Sequence, residues 1–313
     1  MASLADRPSA EVLDKALAIS AAAGLITTVG ASVVLVPRIL SRRFLSASMA
    51  FAAGVMLYVS LASLIQQSAA AYAAARADAQ LAHLEAVETF FGGAILTYLL
   101  DRITVVVLTR YGNRLQDPVP VSEDVELQNI IVEHDRDTET AAFDNNLTTY
   151  DGDVKPSTAM LRAAIITGVA ISLHNLPEGL TTFMGLTTGI AAGLPLAFAI
   201  GLHNIPEGMA VALPVYYQTR SRLKGFLAGT LSGLVSPVGS LFGYAIMKGV
   251  EGDLDPRVYG ASYGIVAGMM TYLAFTVMLP TAFQYDGRAV APAAFAGLFV
   301  MSHSMLLLAF VKS

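Results

Sequence analysis

The stretch AAIITGVAISLHNLPEGLTTFMGLTTGIAAGLPLAFAIGLHNIPEGMAVALPV, residues 163–215, decides the fold. It is apolar enough to cross a bilayer twice, yet it places His174, Glu178, His203 and Glu207 at membrane depth. These residues belong to a repeated hexapeptide, HNLPEG at 174–179 and HNIPEG at 203–208. An ionised carboxylate at a bilayer centre costs about 2.5–3.5 kcal/mol on insertion scales. Packing alone does not explain bearing that cost twice. On an α-helix His174 and Glu178 are i, i+4 and share one face, as do His203 and Glu207. Two such faces turned toward each other offer imidazole nitrogen and carboxylate oxygen to a divalent transition metal.

The rest of the chain agrees with a membrane setting. It is 55% hydrophobic and 14% charged, with a mean hydropathy of +0.59, whereas a soluble domain is about 25% charged. Eight spans are expected, at roughly 12–36, 45–68, 84–109, 159–189, 194–217, 224–249, 258–284 and 289–311. The expected fold is therefore an all-α polytopic membrane protein, one transmembrane domain over residues 1–313. Pro37 closes the first span, Gly193 and Pro195 separate the fourth from the fifth, and Asp253 to Pro256 mark the turn after the sixth. Small residues, as in SGLVSPVGSLFG at 232–243, favour close helix packing.

Absence of cysteine excludes disulfides and thiolate metal sites, and absence of tryptophan leaves Tyr and Phe to build any aromatic belt. The net charge of −5 is no nucleic-acid signal and comes largely from one loop. Residues 115–157 form that loop: between Glu123 and Asp153 it holds ten acids against Arg136, a composition expected to be disordered. The N-terminus lacks a basic run followed by a cleavage site, so the first span is expected to direct its own insertion.

Positive charge sets orientation. Arg38, Arg42, Arg43, Arg110, Arg114, Arg220, Arg222 and Lys224 all follow odd-numbered spans. Both termini are then expected outside the cell or in a lumen, across the plasma membrane or an endomembrane. The sequon at Asn146 would be cytosolic and stay unglycosylated. The one clear internal repeat is the hexapeptide pair, 29 residues apart. A short connection makes its helices antiparallel, so the copies meet as an inverted pair near the midplane, where secondary transporters place their substrates.

Within that pair, His174, Glu178, His203 and Glu207 are the expected metal ligands, suiting Zn²⁺ and also Fe²⁺, Mn²⁺ or Cd²⁺. Asn175 and Asn204 serve an adjacent ion, orient the glutamates, or bond between helices. Pro177 and Pro206 remove the amides that would bond the Leu173 and Leu202 carbonyls, so each helix is expected to kink there. Asp101 and Arg102 are expected to pair with each other or a neighbour. His303 is expected in the interior, with its hydrogen bonds satisfied, while His83 and His134 have no ligand-spaced partner.

The paired hexapeptides resemble the fourth and fifth helices of the ZIP family of zinc and iron transporters. FAAGVMLYVSL at 51–61, LLDRI at 99–103 and SGLVSPVG at 232–239 resemble its second, third and sixth helices. The resemblance implies eight helices with inverted three-helix repeats around helices four and five. It also implies metal passage toward the cytosol and a binuclear centre bridged by the motif glutamates, with Asn175 and Asn204 at the second ion. Met56 lies near a position where the family can add a thioether, though packing is the plainer role; Ser60 and Ser236 are candidates for lining the pathway. The chain departs from many relatives where Ser63, Ser236 and TVMLP at 276–280 stand in place of acids or their neighbourhood, which points to a single dominant site.

The implied function is movement of divalent metal, Zn²⁺ foremost, as a substrate rather than a resident cofactor. Divalent metal ions and the lipid bilayer are the expected partners, with no nucleic acid; a homodimer is an allowed assembly. An intramembrane metal-dependent hydrolase and a non-transporting metal sensor are the competing readings. The hydrolase would need an open coordination position and a spare general base.

Overall fold

The computed structural model describes residues 8–36, 42–76, 78–114, 158–249 and 254–310. The acidic loop, its sequon, His134 and Pro37 lie outside them. Helices account for nearly all described residues, and no strand occurs among them. We label the rods α1 (Ala10–Leu35), α2 (42–75), α3 (Ala79–Arg114), α4 (Thr158–Thr187), α5 (Ile190–Thr219), α6 (Arg222–Gly249), α7 (256–285) and α8 (287–310).

Local chemistry explains the ends. The Ser9 side chain accepts from the Val12 amide, and the Ser221 side chain from Lys224, each satisfying an otherwise orphaned donor of a first turn. Asp255 caps α7 by accepting from the Arg257 amide, with Pro256 preset for the first turn. Asp286 leaves helical geometry at φ −159° and ψ 97° and separates α7 from α8. The turn between α4 and α5 falls at Gly189, whose φ of 141° suits glycine, and not at Gly193 and Pro195. Gly193 is instead drawn into α5, where a side chain would strike the backbone of Leu186.

Five stretches among the described residues are long and apolar enough to cross a membrane: Ala10–Leu35, Arg43–Ala75, Ile190–Leu213, Arg222–Gly249 and Pro256–Leu306. The chain is an all-α, multi-pass membrane protein. Its helices pack by close backbone approach, as small residues permit where no hydrophobic force separates helix from lipid. A Cβ at Gly30 would collide with the Ile205 carbonyl, and one at Gly208 with that of Thr27, locking α1 to α5. Gly179 and Gly239 meet the Ser236 and Leu176 carbonyls in the same reciprocal way between α4 and α6.

A second set of reciprocal contacts joins the other helices. Gly54 meets Ala294 and Gly297 meets Phe51 between α2 and α8; Gly93 meets Ile265 and Gly268 meets Phe90 between α3 and α7. The contacts map α1, α2, α3 and α4 onto α6, α7, α8 and α5. A π-helical turn interrupts α2 at Val59–Leu64 and α7 at Ala274–Met278, on equivalent sides of the same map.

This map corrects the view that the hexapeptide is the one clear repeat. GLITTVG at 24–30 matches GLVSPVG at 233–239, and FAAGVMLY at 51–58 matches IVAGMMTY at 265–272. Each match is too short and conservative to stand out before the contacts align it. Contacts concentrate within two groups, α1/α4/α5/α6 and α2/α3/α7/α8, which meet chiefly where α2 passes α5 and where α3 and α7 pass α4.

Candidate metal centre

The hexapeptides lie within α4 and α5, which continue as helices through Pro177 and Pro206. His174, Asn175, Glu178, His203, Asn204 and Glu207 are all buried, none more than 4% exposed. Their contacts cross between the helices reciprocally. His174 Nε2 lies 3.0 Å from Glu207 Oε1, and His203 Nε2 lies 3.1 Å from Glu178 Oε1. His203 Nε2 is also 3.8 Å from Glu207 Oε1. Ligand atoms of His174, Glu178 and Glu207 fall within 4.8 Å of one another, a spacing that one ion can bridge. His203 joins this trio through both glutamates.

The hydrogen-bond inventory shows what the cluster can do. His203 Nδ1 is 3.0 Å from the Ala199 carbonyl, so that nitrogen carries a proton and donates it. Nε2 then faces a carboxylate oxygen, and a contact between imidazole nitrogen and carboxylate needs a shared cation: a proton or a metal ion. A metal-ligating histidine commonly has its other nitrogen bonded to a carbonyl in this manner.

The asparagines are held alike. Asn175 Nδ2 donates to Ser232 O on α6 at 3.2 Å, and Asn204 Nδ2 donates to Ala23 O on α1 at 3.0 Å. Both carboxamide oxygens, and Oε2 of both glutamates, are buried without a hydrogen-bond partner among the described residues. A buried acceptor left unmade costs about 1–3 kcal/mol. Four such oxygens on one pair of hexapeptides form a donor set suited to a cation. The amide nitrogens that bond between helices and the unpartnered oxygens are thus separate atoms of the same residues.

Other residues singled out in the sequence fall in several places. Met56 is fully buried within the main apolar core. The Ser60 hydroxyl donates to Leu57 O at 3.2 Å and accepts from Thr271 at 2.8 Å, tying α2 to α7. Ser236 is buried where α6 meets Gly24 of α1 and Gly179 of α4, and its hydroxyl is among the unpartnered atoms. His83 is exposed.

One expectation is overturned. His303 is not interior: it is exposed, stacked 3.9 Å from the Phe299 ring, with Nδ1 2.9 Å from Phe299 O. That backbone contact satisfies a polar ring nitrogen on an outward helix face. Of the two pairings expected for Asp101 and Arg102, the one with each other is not formed, because adjacent helical residues point apart, and Arg102 meets a neighbour. Arg102 lies 5.2 Å from the Tyr98 ring centroid, while Asp101 lines a small cavity together with His174. Sequence spacing gave no signal for that last contact, since 73 positions separate the two residues.

Residues 13–309 match the sequence profile described as ZIP Zinc transporter. The chain belongs to the ZIP family. Relatives named Zinc transporter ZupT include one from Stenotrophomonas maltophilia (strain R551-3), 35% identical over 293 residues, covering 93% of this chain and 95% of the relative. Another, from Chlorobium phaeovibrioides (strain DSM 265 / 1930), is 35% identical and covers 94% of this chain and 98% of its own length. A third, from Clostridium perfringens (strain 13 / Type A), is 32% identical with 91% and 93% covered. ZIP membership makes the protein a divalent-metal transporter rather than an enzyme, which removes the hydrolase reading.

Proposed function

We propose that this protein carries Zn²⁺ toward the cytosol through the centre formed by His174, Glu178, His203 and Glu207, with Fe²⁺, Mn²⁺ and Cd²⁺ as alternative cargoes. The observation that carries this reading is the reciprocal pairing of each histidine with the glutamate of the opposite hexapeptide. It puts two imidazoles and two carboxylates around one point between antiparallel helices, a borderline-soft donor set suited to zinc. The names of the relatives support zinc as cargo. Eight crossings, with both termini outside or in a lumen, follow from the helix lengths and the distribution of arginine and lysine.

In this reading the unpartnered oxygens of Asn175 and Asn204 steady the ion or its remaining water. Ser236 supplies a hydroxyl where an acid would anchor a second ion, so one tightly held ion per chain is expected. The ion changes sides as the α1/α4/α5/α6 group moves against the α2/α3/α7/α8 group. Support comes from the glycine contacts, which lock helices within each group, whereas contact between the groups is sparser. A proton shared between each histidine and glutamate must leave when metal arrives, and its return aids release.

The test is Zn²⁺ flux and equilibrium Zn²⁺ binding with purified protein in proteoliposomes. Glu207→Gln and His174→Ala are expected to insert normally and to lose both readouts. Normal flux by either variant overturns the site assignment.

A further inference from the structure

The outward stripe of α3 holds a charge that the metal centre does not use. Phe91, Ile95, Tyr98, Leu99, Arg102 and Val106 recur at helical spacing and are all exposed, which on a crossing helix means exposed to lipid. Arg102 stands inside that apolar stripe. Its guanidinium lies 5.2 Å from the centroid of the Tyr98 ring, and it makes no hydrogen bond or ion pair among the described residues. A ring face attracts a cation without neutralising it. An uncompensated cation among lipid chains is costly and calls for a counterion. On neighbouring α7 the Tyr272 phenol lies within electrostatic range of Arg102, Tyr98 and Asp101, with the Thr276 hydroxyl beside it. The edge between α3 and α7 is thus a polar patch on a lipid-facing surface.

The internal repeat shows that packing does not ask for this cation. The map that pairs Gly93 with Gly297 places Leu306 of α8 opposite Arg102. Leu306 is 55% exposed, an ordinary lipid-facing side chain. The match of FAAGVMLY with IVAGMMTY likewise places Ala62 of α2 opposite Thr276. The fold accepts an apolar residue at both places.

We propose that Arg102, with the phenols of Tyr98 and Tyr272, holds the phosphate of an anionic phospholipid whose chains lie along Leu99, Ile103 and Val106. This rests on the reading of α3 as a membrane crossing. A planar guanidinium matches two phosphate oxygens and is less strongly hydrated than an ammonium, which suits it to this setting. Position 102 lies eight residues, about 12 Å along the helix, from Arg110 at the expected cytosolic end. A long side chain and local thinning of the bilayer close that distance. The anionic class follows from charge: a zwitterionic headgroup brings a second cation toward Arg102, and an anionic one does not.

The experiment gives purified full-length protein in neutral detergent equal amounts of phosphatidylglycerol and phosphatidylcholine, and counts bound lipid by native mass spectrometry. Wild type is expected to retain phosphatidylglycerol over phosphatidylcholine by about tenfold. Arg102→Leu, which copies Leu306, and Arg102→Gln, which keeps a polar side chain without the charge, are both expected to fold and to lose that preference. An unchanged preference in either folded variant, or none in wild type, overturns the proposal. So does displacement of the lipid by excess glycerol phosphate, which would mark a site for free phosphate. A dimer that Arg102→Leu dissolves, with lipid binding unchanged, would assign the arginine to a second copy and overturn it too. The crossing is checked separately: the chain has no cysteine, so Ile95→Cys, on the same stripe, should resist a charged thiol reagent in native membranes. Rapid labelling overturns the crossing itself, whereas a protected thiol with no lipid preference overturns the lipid contact alone.

Discussion

The two flanks of the centre are built on one pattern and differ in chemistry. On the His174 flank, α3 offers Thr97 and Asp101; at the equivalent positions on the His203 flank, α8 offers Met301 and Met305. His174 is 4% exposed and borders a cavity, while His203 is fully buried. Symmetry thus presents two like faces to one point, and it fails locally at the side chains that flank them. The glycine contacts survive the comparison intact, because a backbone collision is unforgiving, whereas the side chains lining the two flanks are free to diverge.

The largest effect should come from removing what both flanks share. Glu207 touches His174 and His203, so Glu207→Gln is expected to lower Zn²⁺ flux by about a hundredfold or more, with normal insertion; residual flux near wild type would break the shared-centre view. Breaking a reciprocal glycine contact comes next. Gly297→Val should force α2 and α8 apart and destabilise by about 1–3 kcal/mol or more, read as a lower melting temperature in detergent. Gly92→Ala, with nothing within 4 Å, should hold or raise that temperature, since alanine favours the helix by about 0.8–1 kcal/mol.

Smaller changes sharpen the contrast between the flanks. Met305→Leu, on the apolar flank, should leave flux within about twofold of wild type. A large loss would mean that the two flanks share a role after all. Thr271→Val removes one hydroxyl contact to Ser60 and should cost about 1 kcal/mol of stability, with flux little changed. Separately, Ser236→Asp should raise bound Zn²⁺ from about one ion per chain toward two, counted by equilibrium binding; unchanged stoichiometry would argue against a second position there.

Much of this was legible in the residues themselves. Apolar runs with few charges announce membrane helices, because a backbone in hydrocarbon must satisfy its own hydrogen bonds and helices do so locally. Two HN[LI]PEG copies, too costly to be accidental in such runs, point to the candidate metal centre and its proposed ligands. The His–Glu pairing across helices confirmed their convergence but added which carboxylate meets which imidazole. The boundary between α4 and α5 differs from the expected one because Gly193 and Pro195 are stronger breakers by residue type than Gly189, whose positive φ appears only in the folded chain.

By itself, then, the sequence determined the helical membrane class, the central antiparallel pair and the four side chains proposed to bind metal, all of which rest on local periodicity and on transfer costs within short segments. Tertiary structure decided the rest. Which glycines meet which carbonyls, that Asp101 shares a cavity with His174, and that Met305 stands in its mirrored place are relations between residues far apart in the chain. Such relations come from how helices dock, and no spacing along one strand of sequence encodes them visibly.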